Sequence, residues 1–307
     1  MATLKGQNVR ILKYTSGGHF AVYAKATSCT VTMTGNTEDA SHKDIVGNAA
    51  LPTIVSKSWQ VQLESLEVTD MYGILSSILN SEKLTIRFDE TATSNNQTQQ
   101  NAAYSRHGDC YISDVTFNFN DRENSTKSLT LMGTGALGKD TTAPTTDDIT
   151  PSTAFTKGQF VRLFLGSDNT AVPDSVIAYA RQMAFHVSVQ MEQATTKDTT
   201  GDWQIQEPVG YSYDITSSAL VRSGDSITST VAGKTLADIE DIYEASAPVR
   251  FIIANTVGPN NRIIQSQIVK GSVVITNLQL TAANRQSAEY QTTLNGFGDY
   301  ELGNPPT

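Results

Sequence analysis

Residues 108–137 read GDCYISDVTFNFNDRENSTKSLTLMGTGAL, and residues 271–300 read GSVVITNLQLTAANRQSAEYQTTLNGFGDY. The two stretches align without a gap, and each has a Gly-x-Gly pattern near its end. Apolar side chains alternate with polar ones in both, as in VTF at 115–117 and LQL at 278–280. Successive side chains of a β-strand point to opposite faces, so each stretch predicts a strand with one buried face, a turn and a returning strand. The sequence therefore predicts a β-hairpin that occurs twice.

The similarity between the two halves extends beyond this hairpin. The segment KGQNVRI near the start of the chain returns as KGQFVRL in the second half. Two further alternating strands, around Cys29 and Trp59, return around Phe185 and Tyr211, and we align these residues in that order. Each strand keeps its alternation in phase between the copies. Because a slip of one residue would exchange the two faces, the shared phase favours a duplication over chance.

The repeat predicts a mainly β protein with two tandem β-sandwich or half-barrel domains, each with one short flanking α-helix. We expect the first domain at 1–138 and the second at 157–303. The stretch 139–156 is rich in Thr, Asp and Pro and predicts an extended linker, and 304–307 predicts a short tail. The Asn- and Gln-rich segment 94–101 predicts a flexible loop.

Two segments have the spacing of an amphipathic helix. Residues 70–79 place four large apolar side chains on one helical face, with Thr69 or Asp70 as the N-cap. Residues 236–243 repeat this pattern, with Thr235 as the N-cap. We expect each helix to pack on one edge of its sandwich.

The composition limits the possible functions. The 307 residues carry a net charge of -9, which is not typical of a protein that coats DNA. No run approaches the ~18 apolar residues of a membrane span, and the N-terminus lacks the apolar core of a signal peptide. We therefore expect synthesis in a cytoplasm and no membrane partner.

The sequence offers no constellation of catalytic or metal-binding residues. Its four histidines lack metal-ligand spacing, and the Gly-x-Gly patterns end strands instead of joining a strand to a helix. His186 lies on a polar strand face, where we expect a solvated or contact-making side chain. Cys29 and Cys110 align with hydrophobic residues of the other copy, so we expect both to be small buried side chains. These features predict no enzyme, no cofactor and no metal.

The order of elements resembles the major tail tube proteins of long-tailed bacteriophages. In the first half the resemblance is carried by CTVTMTGNTEDASHKD, SWQVQLESL and the ending SLTLMGTGAL. In the second half it is carried by FHVSVQMEQATTKDTTGDW, GYSYDITSS and YQTTLNGFG. The tandem arrangement is a departure, since many members of this family have one such domain and form sixfold rings.

The resemblance implies a structural virion protein of the phage tail, made in the cytoplasm of a host bacterium. Strands from neighbouring domains would join into a barrel around a central lumen, and stacked rings would form the tube through which the DNA leaves. Two domains per chain suggest a trimeric ring with pseudo-sixfold symmetry. The implied partners are further copies of the chain, other tail proteins (tape measure, tail terminator and distal tail) and, transiently, double-stranded DNA.

A sliding duplex would be retained by a basic wall, so we expect a lumen lined by neutral polar and acidic side chains. The polar faces of two strands in each repeat supply the candidates. The candidate lumen-facing residues are Thr30, Thr32, Thr34, Gln60, Gln62, Glu64, His186, Ser188, Gln190, Ser212, Asp214 and Thr216.

Two alternatives remain open at this point. The chain could form the inner tube of a contractile injection system, which would have a sheath around it. It could also be a two-domain β-sandwich adhesin or binding module, which should stay monomeric.

Overall fold

The fold is described from a computed structural model, and its secondary structure is mainly β. The structure describes residues 9–15, 19–23, 26–41, 50–66, 70–93, 96–139, 145–148, 156–171, 173, 175–199, 201–221, 233–256 and 268–303. The strands of the first half are β1 (Val9–Tyr14), β2 (His19–Val22), β3 (Ala26–Asp39), β4 (Pro52–Ser65), β5 (Leu84–Thr93), β6 (Asn96–Asn120), β7 (Thr126–Lys139) and β8 (Thr145–Asp148). Those of the second half are β9 (Val161–Leu165), β10 (Ser175–Ile177), β11 (Ala180–Gln193), β12 (Gln206–Leu220), β13 (Gly233–Lys234), β14 (Val249–Asn255), β15 (Ile268–Thr281), β16 (Glu289–Gly296) and β17 (Glu301–Gly303). The helices are α1 (Met71–Leu79) and α2 (Leu236–Ala245).

Eight strands from the two halves form one continuous antiparallel sheet. Its order is β3-β4-β7-β6-β11-β12-β16-β15, with four strands from each half. The two halves join where the second part of β6 pairs with β11. The mainly β prediction is confirmed, and the sheet passes from one repeat into the other without a break. The boundaries proposed for the two domains stay a prediction.

A smaller set of strands branches from each half of this sheet. The first part of β6 pairs with β5, which pairs with β1, and β1 continues to β2. In the second half β15 pairs with β14, which pairs with β9, and β9 continues to β10. The larger apolar core cluster runs through both repeats and includes the buried faces of α1 and α2, and a smaller cluster of Phe164, Ile252, Ala254 and Ile268 lies in the second half.

The two helices confirm the predicted spacing and differ in how they begin. Helix α1 buries Met71, Ile74, Leu75 and Ile78, as the sequence predicts. Its N-cap residue Asp70 makes no capping bond and instead binds the buried ammonium of Lys127. Helix α2 begins with a capping box, in which Thr235 and Asp238 satisfy N–H groups of the first turn. Thr69 lies outside the described residues.

The two hairpins repeat each other in detail. Each strand pair has a β-bulge at the same place, after Ile112 in β6 and after Ile275 in β15. The turns contain a positive-φ arginine, Arg122 in one copy and Arg285 in the other. The sequence alignment of the hairpins therefore holds residue by residue.

In each repeat an aromatic ring covers a hairpin glycine, and this contact shows which residues of the other strands correspond. A Cβ on Gly133 would lie 2.1 Å from the ring of Trp59, and a Cβ on Gly296 would lie 2.6 Å from the ring of Tyr213. The counterpart of Trp59 is therefore Tyr213, and the sequence alignment with Tyr211 was wrong by two residues. Each glycine leaves room for a large ring to lie flat on the backbone.

Strands β3 and β11 shift by the same two residues. Val31 lies opposite Val61 in the first repeat, and Phe185 lies opposite Ile215 in the second. Val61 and Ile215 each lie two positions after the aromatic residue that covers the hairpin glycine. The counterpart of Phe185 is therefore Val31 and not Cys29. A shift of two keeps every side chain on its face, so the predicted faces survive the correction.

Two predicted loops contain strand in the structure. Residues 96–101 belong to β6 and pair with β5, so the prediction of a flexible loop was wrong there. Within the predicted linker, β8 pairs with β2 in parallel. The predicted tail at 304–307 lies outside the described residues.

Candidate assembly interface

The two repeats meet along a β-sheet seam, here called the internal seam, which is the pairing of β6 residues 114–120 with β11 residues 182–188. On its inner face Phe117 lies opposite Phe185 and Val115 lies opposite Val187, and all four side chains are fully buried. Backbone hydrogen bonds and an apolar face therefore hold the repeats together, as they hold neighbouring strands within one domain.

A charged cluster lies on the other face of the internal seam. In its protonated form the His186 ring donates from Nδ1 to Asp214 Oδ1 at 2.7 Å and from Nε2 to Asp114 Oδ2 at 2.8 Å. Partial burial opposes the charge on His186, but the hydrogen bonds with Asp114 and Asp214 outweigh it and raise the pKa of the imidazole. The cluster joins three strands, because its residues come from β6, β11 and β12.

A second contact between the repeats lies beyond the sheet. The segment 202–206, which leads into β12, crosses to the first repeat and lies beside Lys57 of β4. Lys57 N donates to Asp202 O at 2.6 Å, and Gln204 N donates to Lys57 O at 2.8 Å. Gly135 N of β7 donates to Gln204 O at 2.9 Å. We call 202–206 the internal strap, because it ties the second repeat to two strands of the first.

A third contact involves helix α1. The Tyr300 hydroxyl donates to the Leu75 carbonyl oxygen at 2.9 Å, and this bond is buried. The Tyr300 ring packs edge-on against Phe185 and Tyr213 of the second repeat. Helix α1 of the first repeat is thus part of the junction with the second.

The counterparts of the internal seam face solvent at the two outer edges of the sheet. Strand β3 corresponds to β11, and its counterpart of Phe185, Val31, is 38% exposed. The next apolar residue of β3, Met33, is 63% exposed. At the other edge β15 corresponds to β6, and Leu280, the counterpart of Phe117, is 55% exposed. We call the outer side of β3 and residues 277–283, which run from β15 to just past its end, the two open edges. Among the described strands, β3 pairs with β4 alone and residues 277–281 pair with β16 alone, so both open edges present apolar side chains beside an unpaired strand edge.

The twelve predicted lumen-facing residues come together on one face of the sheet. Eight of them lie opposite one another across strand pairs, as Thr30 does with Gln62 and His186 with Asp214. Their neighbours along each strand, such as Val61 and Ile215, point into the core. Whether this polar face lines a lumen stays a prediction.

The sequence prediction missed polar residues that complete this face. Strand β6 contributes Asp114 and Thr116, which lie beside Ser188 and His186 across the internal seam. Strands β7 and β16 contribute Thr130, which lies opposite Gln62, and other polar residues. The polar alternation within the hairpins was the signal that could have identified them.

The cysteines are two free thiols in different environments. Cys110 is buried, as predicted. Cys29 is exposed, so that prediction was wrong. Cys29 belongs to β3, which lies at an open edge. The outer side of β3, where a further strand could pair, faces solvent.

Within the part of the chain that the structure describes, no three His, Cys, Asp or Glu side chains are grouped to hold a metal. Among the same residues, neither helix has the length and hydropathy of a membrane span.

Comparison with solved structures finds matches to chains of a tail, a tail tube and a virion, each over about half of this chain. A chain from the tail of an empty GTA particle is 16% identical, with 47% of this chain and 94% of that chain covered and a TM-score of 0.35. The SPP1 tail tube is 16% identical, with 49% and 80% covered and a TM-score of 0.37. A chain from the virion of a native GTA particle is 14% identical, with 48% and 98% covered and a TM-score of 0.34. No family model and no curated protein matches the sequence.

Proposed function

We propose that this chain is a major tail tube subunit, which forms stacked rings around a bore for the passage of double-stranded DNA. The observation that carries the proposal is the pair of open edges. Inside the chain, the same two kinds of edge are joined at the internal seam. A second copy is the partner whose edges have the matching shape, alternation and apolar side chains.

The internal seam supplies the register of the proposed contact between chains. Phe117 lies opposite Phe185, so Leu280 of one copy should lie opposite Val31 of the next. Asp114 lies opposite Ser188, so Asn277 should lie opposite Thr34. This pairing would bury the exposed apolar side chains of both open edges and satisfy their free backbone groups.

A ring of three chains fits the size of a DNA-conducting tube. Eight strands from each of three chains give 24 strands in the wall. At ~4.8 Å between strands and a tilt of ~40°, the backbone of such a barrel is about 45–50 Å across. Six repeats in this ring would give pseudo-sixfold symmetry, and closing the sheet would remove its edges.

The polar face of the sheet is the side we assign to the bore. The charged groups among the twelve candidate residues are Glu64, Asp214 and His186, and β6 adds Asp114. Hydroxyl and amide side chains make up the remainder of the twelve. A neutral-to-acidic wall would let the duplex slide, since few cations would hold its phosphates. This role places the protein in the virion tail, with tape measure, tail terminator and distal tail proteins as further partners.

Microscopy and a single cysteine substitution test the proposal together. The purified protein should form rings or tubes by negative-stain microscopy, and native mass spectrometry should give a ring of three chains. Because Phe119 lies opposite Met183, the register places Ala282 of one copy opposite Cys29 of the next. Ala282→Cys should therefore join chains through a disulfide under mild oxidation, to a ladder that ends at three.

Two matched variants control this experiment. Ala283 is the counterpart of Asn120, which lies opposite Gln182 and not Met183, so Ala283→Cys should not cross-link to Cys29. Cys29→Ser in the Ala282→Cys background should also abolish the cross-link. Monodisperse monomers at high concentration would contradict the proposal and favour a binding module, and six-chain rings would contradict the trimer. A sheath around the assembled tube in the virion would indicate a contractile system.

A further inference from the structure

The second repeat carries an exposed copy of the surface that the internal strap covers in the first. The strap lies over Lys57, Thr134 and Gly135 of the first repeat. Their counterparts in the second repeat are Tyr211, Phe297 and Gly298. Gly135 and Gly298 share a positive φ, 81° and 77°, which keeps this corner of the two repeats alike.

The segment that corresponds to the internal strap leads into β4. Gln206 and Pro52 occupy the same place, because each is the first residue of its strand and pairs with the last residue of the preceding strand, Gln193 or Asp39. Ala50 therefore corresponds to Gln204, whose backbone makes two of the bonds of the internal strap. In the chain by itself Leu51 is 46% exposed and Phe297 is 54% exposed.

We infer that residues 50–52 of one copy form a second strap, which seats on Tyr211, Phe297 and Gly298 of the neighbouring copy. By correspondence with the internal strap, Ala50 N donates to the Tyr211 carbonyl oxygen and Gly298 N donates to the Ala50 carbonyl oxygen. The inference rests on the proposed ring, since the two open edges must meet for this strap to reach its site.

A matched pair of changes between the two sites supports this assignment. At the internal strap, Gln206 N donates to Thr134 Oγ1 at 3.2 Å. At the corresponding site Pro52 has no N–H and Phe297 has no hydroxyl, so donor and acceptor are both absent. The second site therefore leaves neither half of that hydrogen bond without its partner, and in the inferred contact a proline ring lies against a phenyl ring instead.

Cysteine pairs test the second strap directly. In a Cys29→Ser background, Pro52→Cys with Phe297→Cys should form disulfides between chains in assembled rings. Gln206→Cys with Thr134→Cys is the positive control, since Gln206 N lies 3.2 Å from Thr134 Oγ1 and this pair should give a disulfide inside one chain. Either cysteine alone should leave the chains unlinked.

The outcomes separate this inference from the proposed function. Rings that cross-link through Cys29 and Ala282→Cys, but not through Pro52→Cys and Phe297→Cys, would overturn the second strap and leave the ring in place. Absence of both cross-links in a monomeric protein would overturn the ring itself. Cross-linking of both pairs would support both.

Substituting residues of the internal strap site into the second strap site tests the inference independently, with ring assembly as the measurement. Pro52→Gln alone should weaken ring assembly by about three- to tenfold, because it places an N–H against the Phe297 ring. Adding Phe297→Thr should restore much of this loss, because it recreates the donor and acceptor of the internal strap. Assembly that is equally weak in the double variant would contradict the matched contact.

Discussion

The internal seam and the two open edges are built from corresponding strands, yet they differ in what covers them. At the internal seam Phe117 and Phe185 are fully buried against each other's strands. At the open edges their counterparts Leu280 and Val31 are partly or largely exposed. The comparison teaches that the chain covers one of these two junctions by itself, and in the proposed ring a second copy covers the other.

The two junctions also differ in their polar chemistry. The internal seam places His186 between Asp114 and Asp214. By the register of the strands, the counterparts of these residues at the proposed junction are Thr32, Asn277 and Gln60. The junction inside the chain thus contains an ionisable cluster, whereas the proposed junction between chains would contain neutral groups. Neutral groups impose no dependence of assembly on the protonation state of an imidazole.

The largest effect is expected from a charge at an open edge. Leu280→Arg should abolish ring assembly and leave the stability of the monomer nearly unchanged, because this side chain is solvated before assembly and buried after it. Ala245→Arg, which adds the same charge to the exposed end of α2, should assemble normally. Size-exclusion chromatography with light scattering measures the oligomeric state. Normal rings from Leu280→Arg would remove β15 from the interface.

The second-largest effect is expected at Phe185, which is buried at the internal seam, compared with its exposed counterpart Val31. Phe185→Ala should lower the free energy of unfolding of the monomer by about 3–5 kcal/mol, because it empties a fully buried site. Val31→Ala should cost under about 1 kcal/mol in the monomer and more in the ring. Urea denaturation of the two variants in an assembly-deficient background measures both costs in the monomer. Equal costs in the monomer would contradict the difference between the two junctions.

A smaller effect distinguishes the two hairpins. Gly133→Ala should destabilise the first repeat by about 2–3 kcal/mol, because its Cβ would overlap the Trp59 ring. The Trp59 indole is also fixed by donating from Nε1 to the Gly135 carbonyl oxygen at 3.0 Å. Gly296→Ala should cost about 1–2 kcal/mol, because the overlap with Tyr213 is smaller. Thermal unfolding of the two variants gives this order, and a reversed order would count against it.

The smallest effect concerns the pH dependence of the internal seam. The pKa of His186 is higher in the folded chain than in the unfolded one, so its stabilisation is fully present below about pH 6.5. It is lost as the pH rises through the folded pKa. His186→Gln should therefore cost about 1 kcal/mol at low pH and progressively less at higher pH. A cost that is constant between pH 5 and pH 9 would show that the imidazolium does not stabilise the seam.

The sequence determined much of the architecture because its signals are local. Alternation along single strands predicted one buried face for the strands that contain 115–117 and 278–280, and it placed the twelve candidates on polar strand faces. The spacing within 70–79 and 236–243 located both helices, and the two copies of the hairpin revealed the duplication. These inferences depend on neighbours along the chain, which a sequence displays directly.

Pairing between distant strands was decided only by the tertiary structure. Alternation repeats every two residues, so it cannot distinguish Tyr211 from Tyr213 as the counterpart of Trp59. The cluster of His186 with two aspartates also needs the register between β6 and β11, which no local pattern specifies. Exposure of Cys29 follows from the position of β3 at the edge of the sheet. The sequence determines which side chains share a strand face, and tertiary packing determines which strands lie beside one another and which edges stay open.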